Sequence, residues 1–402
     1  MSTLMLIGAG AEQVPAIMAA KRLGHRVLGI DLNTRAPGIG LLDRFFHLST
    51  TDVDAAVALA RKIKRTDPIH GVCTVGSDVP YTVARVAQEL GLPGIDPESA
   101  RLATDKLIMK RHFMETGVPI PCFSEADSPA EVMDRVKRFG SVVIKPADSR
   151  GSRGVFHVKP GCRIEELFVI AKMNSPSGRV MVEEYLSGPQ ISTESILLDG
   201  IAHTPGFSDR NYEFWDLYAP HVIENGGQMP SVHDPDMRDE AQRLIGHAAA
   251  SLGIYWGVVK GDLVLTEDGL KIIELAARPS GGFFCTHQIR FATGVDLVEV
   301  QIKLALGEKV TAEELQPKIK GGSAIRFVFP KPGEIVSIEG LADARSRPEI
   351  GHVQALVEPG DAVDSPTDSN GAAVVVVSRA ATRQKSVDAA VEAANSIEVR
   401  TR

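Results

Sequence analysis

Strand-like and helix-like apolar patterns alternate over the first 95 residues. Short runs of branched apolar residues are each followed by a stretch in which apolar residues recur every three or four positions. Repeated alternation of strand and helix is typical of a doubly wound parallel sheet. The predicted elements are a strand at residues 4–7, a helix near 13–23, a strand at 26–30 ending at Asp31, a helix near 53–64, a strand at 71–75 and a helix near 79–90.

Breaks in the pattern divide the rest of the chain. A proline-rich passage at residues 92–97 leads to one predicted helix that begins near Glu98, contains Lys106 and ends around Gly117. We therefore expect a mixed α/β and α+β architecture. Its predicted parts are an N-terminal Rossmann-like doubly wound parallel-sheet domain (1–95), a connecting helix (96–121), a lid subdomain (122–187), a central lobe (188–315) and a C-terminal α+β lobe (316–402).

Residues 258–275 predict a β-hairpin with two acidic side chains on one face. Two apolar runs flank a turn at residues 266–269. Facing carboxylates about 5 Å apart destabilise a hairpin unless something neutralises them, and a divalent cation is the natural candidate. Alternation carries the same face on to Arg278. A surface hairpin with scattered charges is the alternative, and a slip of one residue would separate the acids. The predicted facing pairs are Val264 with Ile272 and Asp262 with Glu274.

A loop of small residues separates two apolar strands within residues 141–159. Backbone N–H groups of such a loop can approach a phosphate closely, and Lys145 adds a positive charge at its edge. In a Walker loop the lysine follows the glycines and a helix comes next, whereas here the lysine precedes them and a strand follows. A flexible hairpin turn is the alternative. The candidate phosphate contacts are Lys145, Ser149, Gly151, Ser152 and Gly154.

A strand at residues 180–185 stops at Ser187-Gly188-Pro189 and restarts, which predicts a hinge between the lid and the central lobe. Backbone groups at such a hinge could read the edge of an adenine ring, and a nearby amide could meet a ribose hydroxyl. Solvated edge charges are the alternative for the two glutamates. The candidate contacts are Glu183, Glu184, Tyr185, Leu186 and Gln190.

Composition narrows the function classes. The 402 residues are 44% hydrophobic and 24% charged, with a formal net charge of -7, as in a globular protein of about two to four domains. The absence of a basic stripe argues against nucleic acid as a partner, and the absence of a long apolar run argues against a membrane span. The four cysteines are widely spaced, without a zinc pattern. We expect reduced thiols and a cytoplasmic protein.

The turn at residues 8–13 contains Gly8 and Gly10 but has Gln13 where a dinucleotide fingerprint has its third glycine. We therefore favour a substrate-side or structural role for this turn over NAD binding.

Taken in order, these motifs resemble the ATP-grasp family over about residues 1–310. The resemblance rests on Lys106, Lys145 with its glycine-rich loop, the hinge at 183–190, Asp262, Glu274 and Arg278. It implies that two lobes hold ATP with magnesium between them. By position, Lys106 and Lys145 would contact the phosphates, residues 149–154 would cover them, Glu183 and the backbone of Tyr185 and Leu186 would hold adenine, Asp262 and Glu274 would bind magnesium, and Arg278 would stabilise an acyl phosphate.

Two positions depart from the family pattern. Gln190 stands where many members have a glutamate for the ribose, and Ala276 stands where many have an asparagine near the second metal ligand. A second magnesium would then depend on Glu274 and phosphate oxygens. The tail resembles the C-terminal lobe of the amino-acid ligase and biotin carboxylase branches.

The resemblance implies a ligase that phosphorylates a carboxylate with ATP and transfers the acyl group to an amine, giving ADP, phosphate and an amide. Lys145, Glu274 and Arg278 would be its catalytic residues. Alternatives are an ATP-grasp enzyme that uses bicarbonate or formate, and a nucleotide-binding regulatory protein. The partners would be small-molecule carboxylates and amines, and a homodimer stays open. The substrate candidates are Arg210, Arg278, Gly281, Gly282 and His287, with structural roles as the alternative for Arg210 and His287.

Overall fold

Strands of the N-terminal unit form a parallel sheet. The computed structural model describes residues 1–149 and 151–402, so residue 150 of the predicted phosphate loop lies outside the described part. Strands β1 (Thr3–Ile7), β2 (Arg26–Asp31), β3 (Arg44–His47) and β4 (Gly71–Cys73) pair in the order β3-β2-β1-β4. Helices α1 (Val14–Arg22), α2 (Val53–Lys64) and α3 (Pro80–Leu90) alternate with them, which confirms the predicted parallel pattern.

The sequence prediction missed β3. This strand has four residues, lies at the sheet edge and buries none of its side chains fully, so its apolar signal is short. The prediction of a single connecting helix is also wrong. The chain forms α4 (Pro97–Leu102) and α5 (Lys106–Glu115), because the Asp105 carboxylate accepts hydrogen bonds from the N–H groups of Leu107 and Ile108, each at 3.0 Å, and so starts a new helix.

The lid segment contains β5 (Phe123–Ala126), α6 (Pro129–Phe139), β6 (Val142–Pro146), β7 (Phe156–Val158), α7 (Ile164–Met173) and β8 (Val180–Glu184). Its strands form an antiparallel sheet in the order β5-β8-β6-β7. Both helices contribute buried apolar side chains to a core shared with the sheet. The opposite face of β6 and β8 is mixed, with the apolar Val143 and Met181 beside the charged Lys145 and Glu183.

A larger antiparallel sheet joins the central and C-terminal parts. Its strands are, from one edge to the other, β13 (Gly269–Ala276), β12 (Gly257–Thr266), β9 (Gln190–Leu198), β10 (Ile201–Arg210), β11 (Gly227–Met229), β14 (Ser323–Val328), β18 (Val374–Ser378) and β16 (Ile350–Ala355). The pairing of β11 with β14 places Met229 opposite Ser323, so this sheet crosses the boundary predicted at residue 315. The domain boundaries stay a prediction. The helices of the central part are α8 (Arg238–Ser251), α9 (Ile289–Thr293) and α10 (Leu297–Ala305).

The tail completes the large sheet and adds a small one. The small sheet has three strands in the order β17 (Ala362–Val363), β15 (Gly333–Glu339) and β19 (Glu398–Thr401). Among the described residues, the helices lack the length and apolar character needed to span a membrane. The tail helices are α11 (Leu341–Ser346) and α12 (Arg383–Asn395), and short 3₁₀ helices lie at Ala11–Gln13, Ile39–Leu41 and Ser369–Gly371.

Candidate active site

A cavity of about 500 Å³ lies where the lid, the N-terminal unit and the large sheet meet. Most residues that the sequence singled out line this one space, although they come from distant parts of the chain. Gly154 and His287 are not part of the lining. The predicted residues that do line it are Lys106, Lys145, Ser149, Gly151, Ser152, Glu183, Glu184, Tyr185, Leu186, Gln190, Arg210, Asp262, Glu274, Arg278, Gly281 and Gly282.

Lys106 connects three parts of the cavity. It is the first residue of α5, and its Nζ donates a hydrogen bond to the Ser149 carbonyl at 2.7 Å and lies 3.7 Å from Glu274 Oε2. Gly151 follows with φ of +61°, a left-handed conformation that suits glycine. A Cβ on Gly151 would lie 2.8 Å from Asn370 Nδ2, so the loop also closes against the C-terminal part.

Lys145 is part of a buried ion-pair cluster. In the antiparallel pair of β6 and β8, Lys145 faces Met181 and Val143 faces Glu183, so Lys145 and Glu183 share one face of the sheet. Lys145 Nζ forms an ion pair with Glu183 Oε1, and Lys110 Nζ lies 3.3 Å from Glu183 Oε2. Burial opposes ionisation of Glu183, but the two lysines hold the pKa of its carboxyl below the usual range. The carboxylate that we expected at adenine is thus occupied by two lysines.

Lys110 is a residue that sequence reasoning missed. It is fully buried, its Nζ donates to the Ile272 carbonyl at 3.1 Å, and burial lowers the pKa of its ammonium to about 8 against the pull of Glu183. Its spacing of four residues from Lys106 places both side chains on one face of α5, and this was a readable signal.

The predicted pair of acids is present. Asp262 faces Glu274 across β12 and β13, but Leu263 faces Ile272 and Val264 faces Lys271. The predicted pairing of Val264 with Ile272 is therefore wrong, because an irregularity between Asp262 and Leu263 shifts the register.

Cations of the protein neutralise Asp262. Arg210 Nη1 lies 3.1 Å from Asp262 Oδ1, Lys260 forms a second ion pair with Oδ2, and the Ser192 hydroxyl donates to Oδ1 at 3.2 Å. Burial alone would raise the pKa of this carboxyl, but Arg210 and Lys260 lower it to about 2. The sequence did not reveal Arg210 or Ser192 as partners, because Arg210 on β10 and Ser192 on β9 reach Asp262 only through the fold, whereas Lys260 lies two residues before Asp262 on β12 and was readable.

Arg278 joins the large sheet to the N-terminal unit. Its Nε donates to Asp78 Oδ1 at 2.6 Å, and its Nη1 donates to the Pro279 carbonyl at 3.0 Å. Burial would lower the pKa of the guanidinium, but the Asp78 carboxylate raises it. Asp78 follows β4, at the end of a parallel strand where ligands of such sheets bind. The guanidinium is therefore charged and held in place at the cavity wall.

His287 lies outside the cavity, in a π-helical turn (Phe284–Gln288). Its ring is 4.2 Å from the His352 ring, centroid to centroid, and its Nδ1 lies 2.9 Å from Thr286 Oγ1. Burial, with smaller contributions from His352 and Arg290, lowers the pKa of the imidazole to about 3. Its surroundings are those of a packed, neutral side chain.

An aromatic wall beside the hinge was also missed. The Tyr185 ring stacks on His157 at 4.0 Å, Trp215 lies 5.9 Å from Tyr185, and the Tyr212 hydroxyl donates to Gln190 Oε1 at 3.0 Å. Trp215 and Tyr212 belong to an aromatic-rich loop between β10 and β11, whose composition was a signal for a ligand wall.

Three family models match successive parts of the chain. An ATP-grasp N-terminal domain matches residues 17–94, an ATP-grasp domain matches residues 103–282, and L-amino acid ligase C-terminal domain 2 matches residues 326–402. Among solved structures, an L-amino acid ligase from Bacillus licheniformis superposes with a TM-score of 0.84 and 20% identity, covering 100% of this chain and 99% of that one. These matches confirm the predicted fold class.

Two curated proteins are similar to this chain in sequence. An uncharacterized protein y4rH of Sinorhizobium fredii is 27% identical over 319 residues, a match that covers 78% of this chain and 64% of that protein. A phosphoribosylamine–glycine ligase of Methanococcus maripaludis is 28% identical over 304 residues, which covers 68% of this chain and 67% of that enzyme. The chain thus spans about two thirds of the length of each.

Proposed function

Because this chain belongs to the ATP-grasp family of carbon–nitrogen ligases, we propose that it phosphorylates a carboxylate with ATP and joins the acyl group to an amine. The products are ADP, phosphate and an amide. One observation carries this proposal: a single cavity gathers Lys106 and Lys145, the opposed acids Asp262 and Glu274, and Arg278. Cations beside a pair of carboxylates suit a transferring phosphoryl group, whose negative charge must be stabilised.

ATP is assigned to the space between the lid and the large sheet. Lys106 and Lys145 would neutralise its phosphates, and the backbone of Ser149, Gly151 and Ser152 would cover them. The hinge at residues 184–186 would meet the adenine ring, with Gln190 held toward the ribose by Tyr212. Lys145 would then exchange its pairing with Glu183 for a phosphate, and Lys110 would keep Glu183 neutralised.

Asp262 and Glu274 fit a magnesium ion. Magnesium prefers hard oxygen ligands and is usually bound by one or two carboxylates together with substrate phosphates. Asp262, with its pKa of about 2, is ionised at neutral pH and needs no proton removal to serve as a ligand. Magnesium bound there would supply positive charge to the transferring phosphoryl group. Ala276 offers no third oxygen, so phosphate oxygens would complete the site.

Arg278 would stabilise the acyl phosphate and the oxyanion that forms when the amine attacks. Its guanidinium is held by Asp78 at 2.6 Å, so little reorganisation is needed when negative charge develops beside it. The reaction then needs no nucleophilic side chain, because the amine attacks the activated carboxylate directly.

Amino acids are the first substrates to test, since residues 326–402 match an L-amino acid ligase domain. The second candidate is a purine-synthesis reaction, which the 28% identity to a phosphoribosylamine–glycine ligase favours. ADP release should be screened with pairs of amino acids, with glycine and phosphoribosylamine, and with bicarbonate, formate and other carboxylates. The masses of the products should be measured by mass spectrometry. An amide of two amino acids supports the first candidate. Absence of ADP release with every carboxylate would reject both.

A further inference from the structure

Glu12 lies where the N-terminal unit meets the loop that follows Arg278. It is in the turn after β1 and lines the cavity. A Cβ on Gly76 would lie 2.8 Å from Glu12 Cβ and 3.2 Å from Gly281 Cα. Gly76 therefore allows three chain segments to approach closely, and this contact places the Glu12 carboxylate beside residues 281–283. The proposed mechanism gives Glu12 no role.

One carboxylate oxygen of Glu12 is bonded and the other is not. The Phe283 N–H donates to Oε1 at 3.3 Å, and Phe283 has a φ of +64°, which is rare for a bulky residue. Oε2 is buried and has no hydrogen-bond partner among the described residues. A buried acceptor without a partner is costly. Burial accordingly raises the pKa of this carboxyl to about 7, against the lowering effect of the backbone N–H groups.

Glu194 is a structural acid that contacts the same loop after Arg278. It is fully buried, its Oε1 accepts from the Ser280 N–H at 3.0 Å, and its Oε2 accepts from the Ser280 hydroxyl. Both oxygens are thus satisfied, and Glu194 is not in the cavity lining. Glu12 differs in both respects.

Most other acids of the cavity have a cation, and the partly exposed Glu184 accepts a hydrogen bond from the Cys122 N–H at 3.3 Å. Asp78 pairs with Arg278, and Glu183 and Asp262 each pair with two cationic side chains. In the described part of the chain, no Lys, Arg or His forms an ion pair with Glu12. Arg278 acts on Glu12 from a longer distance and lowers the pKa of its carboxyl, but its own ion pair is with Asp78, so the described residues place no cation in direct contact with Glu12.

We propose that Glu12 is the subsite for an ammonium group of a substrate. An ammonium supplies N–H donors for the free oxygen and a charge for the carboxylate, and such charge-assisted bonds are stronger than neutral ones. This proposal rests on the proposed function and specifies it: a substrate enters carrying a protonated amine. The ammonium could belong to the amino acid that is phosphorylated, or to the acceptor, which would then release one proton to solvent before its neutral amine attacks; the chemistry of recognition is the same. Glu12 acts here in binding and substrate selection.

The test compares the wild type with Glu12→Gln. Glutamine keeps an oxygen for the Phe283 N–H but removes the charge. The probes are the amino acid that releases most ADP in the screen and the same acid without its amino group. We expect the wild type to prefer the amino acid at least tenfold in kcat/KM. In the variant the KM for an ammonium-bearing substrate should rise at least tenfold, with the KM for ATP and the melting temperature nearly unchanged.

Hydroxylamine as the acceptor distinguishes the two sources, because it is largely uncharged at neutral pH. If the KM for the amino acid whose carboxylate is phosphorylated still rises in Glu12→Gln, the ammonium is that of the carboxylate substrate. If only the KM for an amine acceptor rises, it is that of the acceptor. Glu89→Gln is the control, because Glu89 is exposed on α3 and pairs with Arg61 at 2.8 Å. It should match the wild type.

Two results would overturn the inference. One is an unchanged KM for both substrates in Glu12→Gln, and the other is a fall in melting temperature with all kinetic constants altered together, which indicates a structural acid. If the wild type releases no ADP with any carboxylate, the proposed function fails, but calorimetry still decides the subsite. In that case, equal affinity of the wild type for the amino acid and for its desamino analogue would reject the ammonium subsite.

Discussion

Asp262 offers a direct test of how the protein tolerates two facing acids. Its carboxylate lies opposite Glu274, and repulsion alone would make removal of either charge stabilising. The structure indicates the reverse for Asp262, because Arg210 and Lys260 neutralise it within a buried environment. We expect the Asp262→Asn substitution to destabilise the ligand-free protein.

The magnitude follows from the pKa. A fall from the usual 3.8 to about 2 means that the fold favours the ionised carboxylate by about 2 kcal/mol. Removing one partner of a buried pair typically costs about 3–5 kcal/mol, but Arg210 keeps an ion pair with Glu224. We therefore expect the free energy of unfolding to fall by about 2–3 kcal/mol. Because the folded pKa is lowered, this contribution is present above pH 3.8 and is lost only as the pH falls toward 2.

Urea denaturation at pH 7 and pH 5, without nucleotide, measures the effect, and the difference from wild type should be the same at both values. Glu274→Gln is the matched variant. The Glu274 side chain is 34% exposed, and its one ion pair among the described residues is with Lys106, at 3.7 Å. The stability of this variant should therefore change by less than about 1 kcal/mol. Both variants should lose ATP turnover. An Asp262→Asn protein as stable as the wild type, or more stable, would refute this reasoning.

Local patterns were sufficient to predict much of the fold. The strand and helix periods of the first 95 residues predicted the parallel sheet, because its inner strands are buried on both faces and read as continuous apolar runs. The hairpin was readable because two apolar runs flank a turn with Gly269. The start of α5 was also readable, since Asp105 is a good helix cap, but the neighbouring helical patterns were merged.

Features that depend on tertiary contacts could not be predicted from the sequence. A register irregularity beside Asp262 leaves no mark in the alternation of side chains, so the pairing was predicted correctly on one side of it only. The sequence could place Lys110 on the same face of α5 as Lys106, but only the fold brings Glu183 to it. In the same way, Glu12 was part of a glycine-rich turn, and its unbonded oxygen appears only when residues 281–283 pack against it.

Two further predictions concern Lys145 and His287. Lys145→Ala should weaken ATP binding in calorimetry and also lower the melting temperature, because Lys145 is buried and Glu183 would keep only Lys110; unchanged stability would show that Lys110 alone neutralises Glu183. His287 should make the protein sensitive to acid. Its pKa is about 3 in the fold and about 6.5 in an unfolded chain, so below pH 6.5 the unfolded chain gains a proton that the folded protein does not. Stability should then fall by up to about 1.4 kcal/mol per pH unit from this residue. The His352 pKa is lowered as well, so His287→Gln should reduce the slope between pH 6.5 and 4.5 without abolishing it. Urea denaturation across this range measures the slope, and equal slopes in variant and wild type would show that His287 is protonated within the fold.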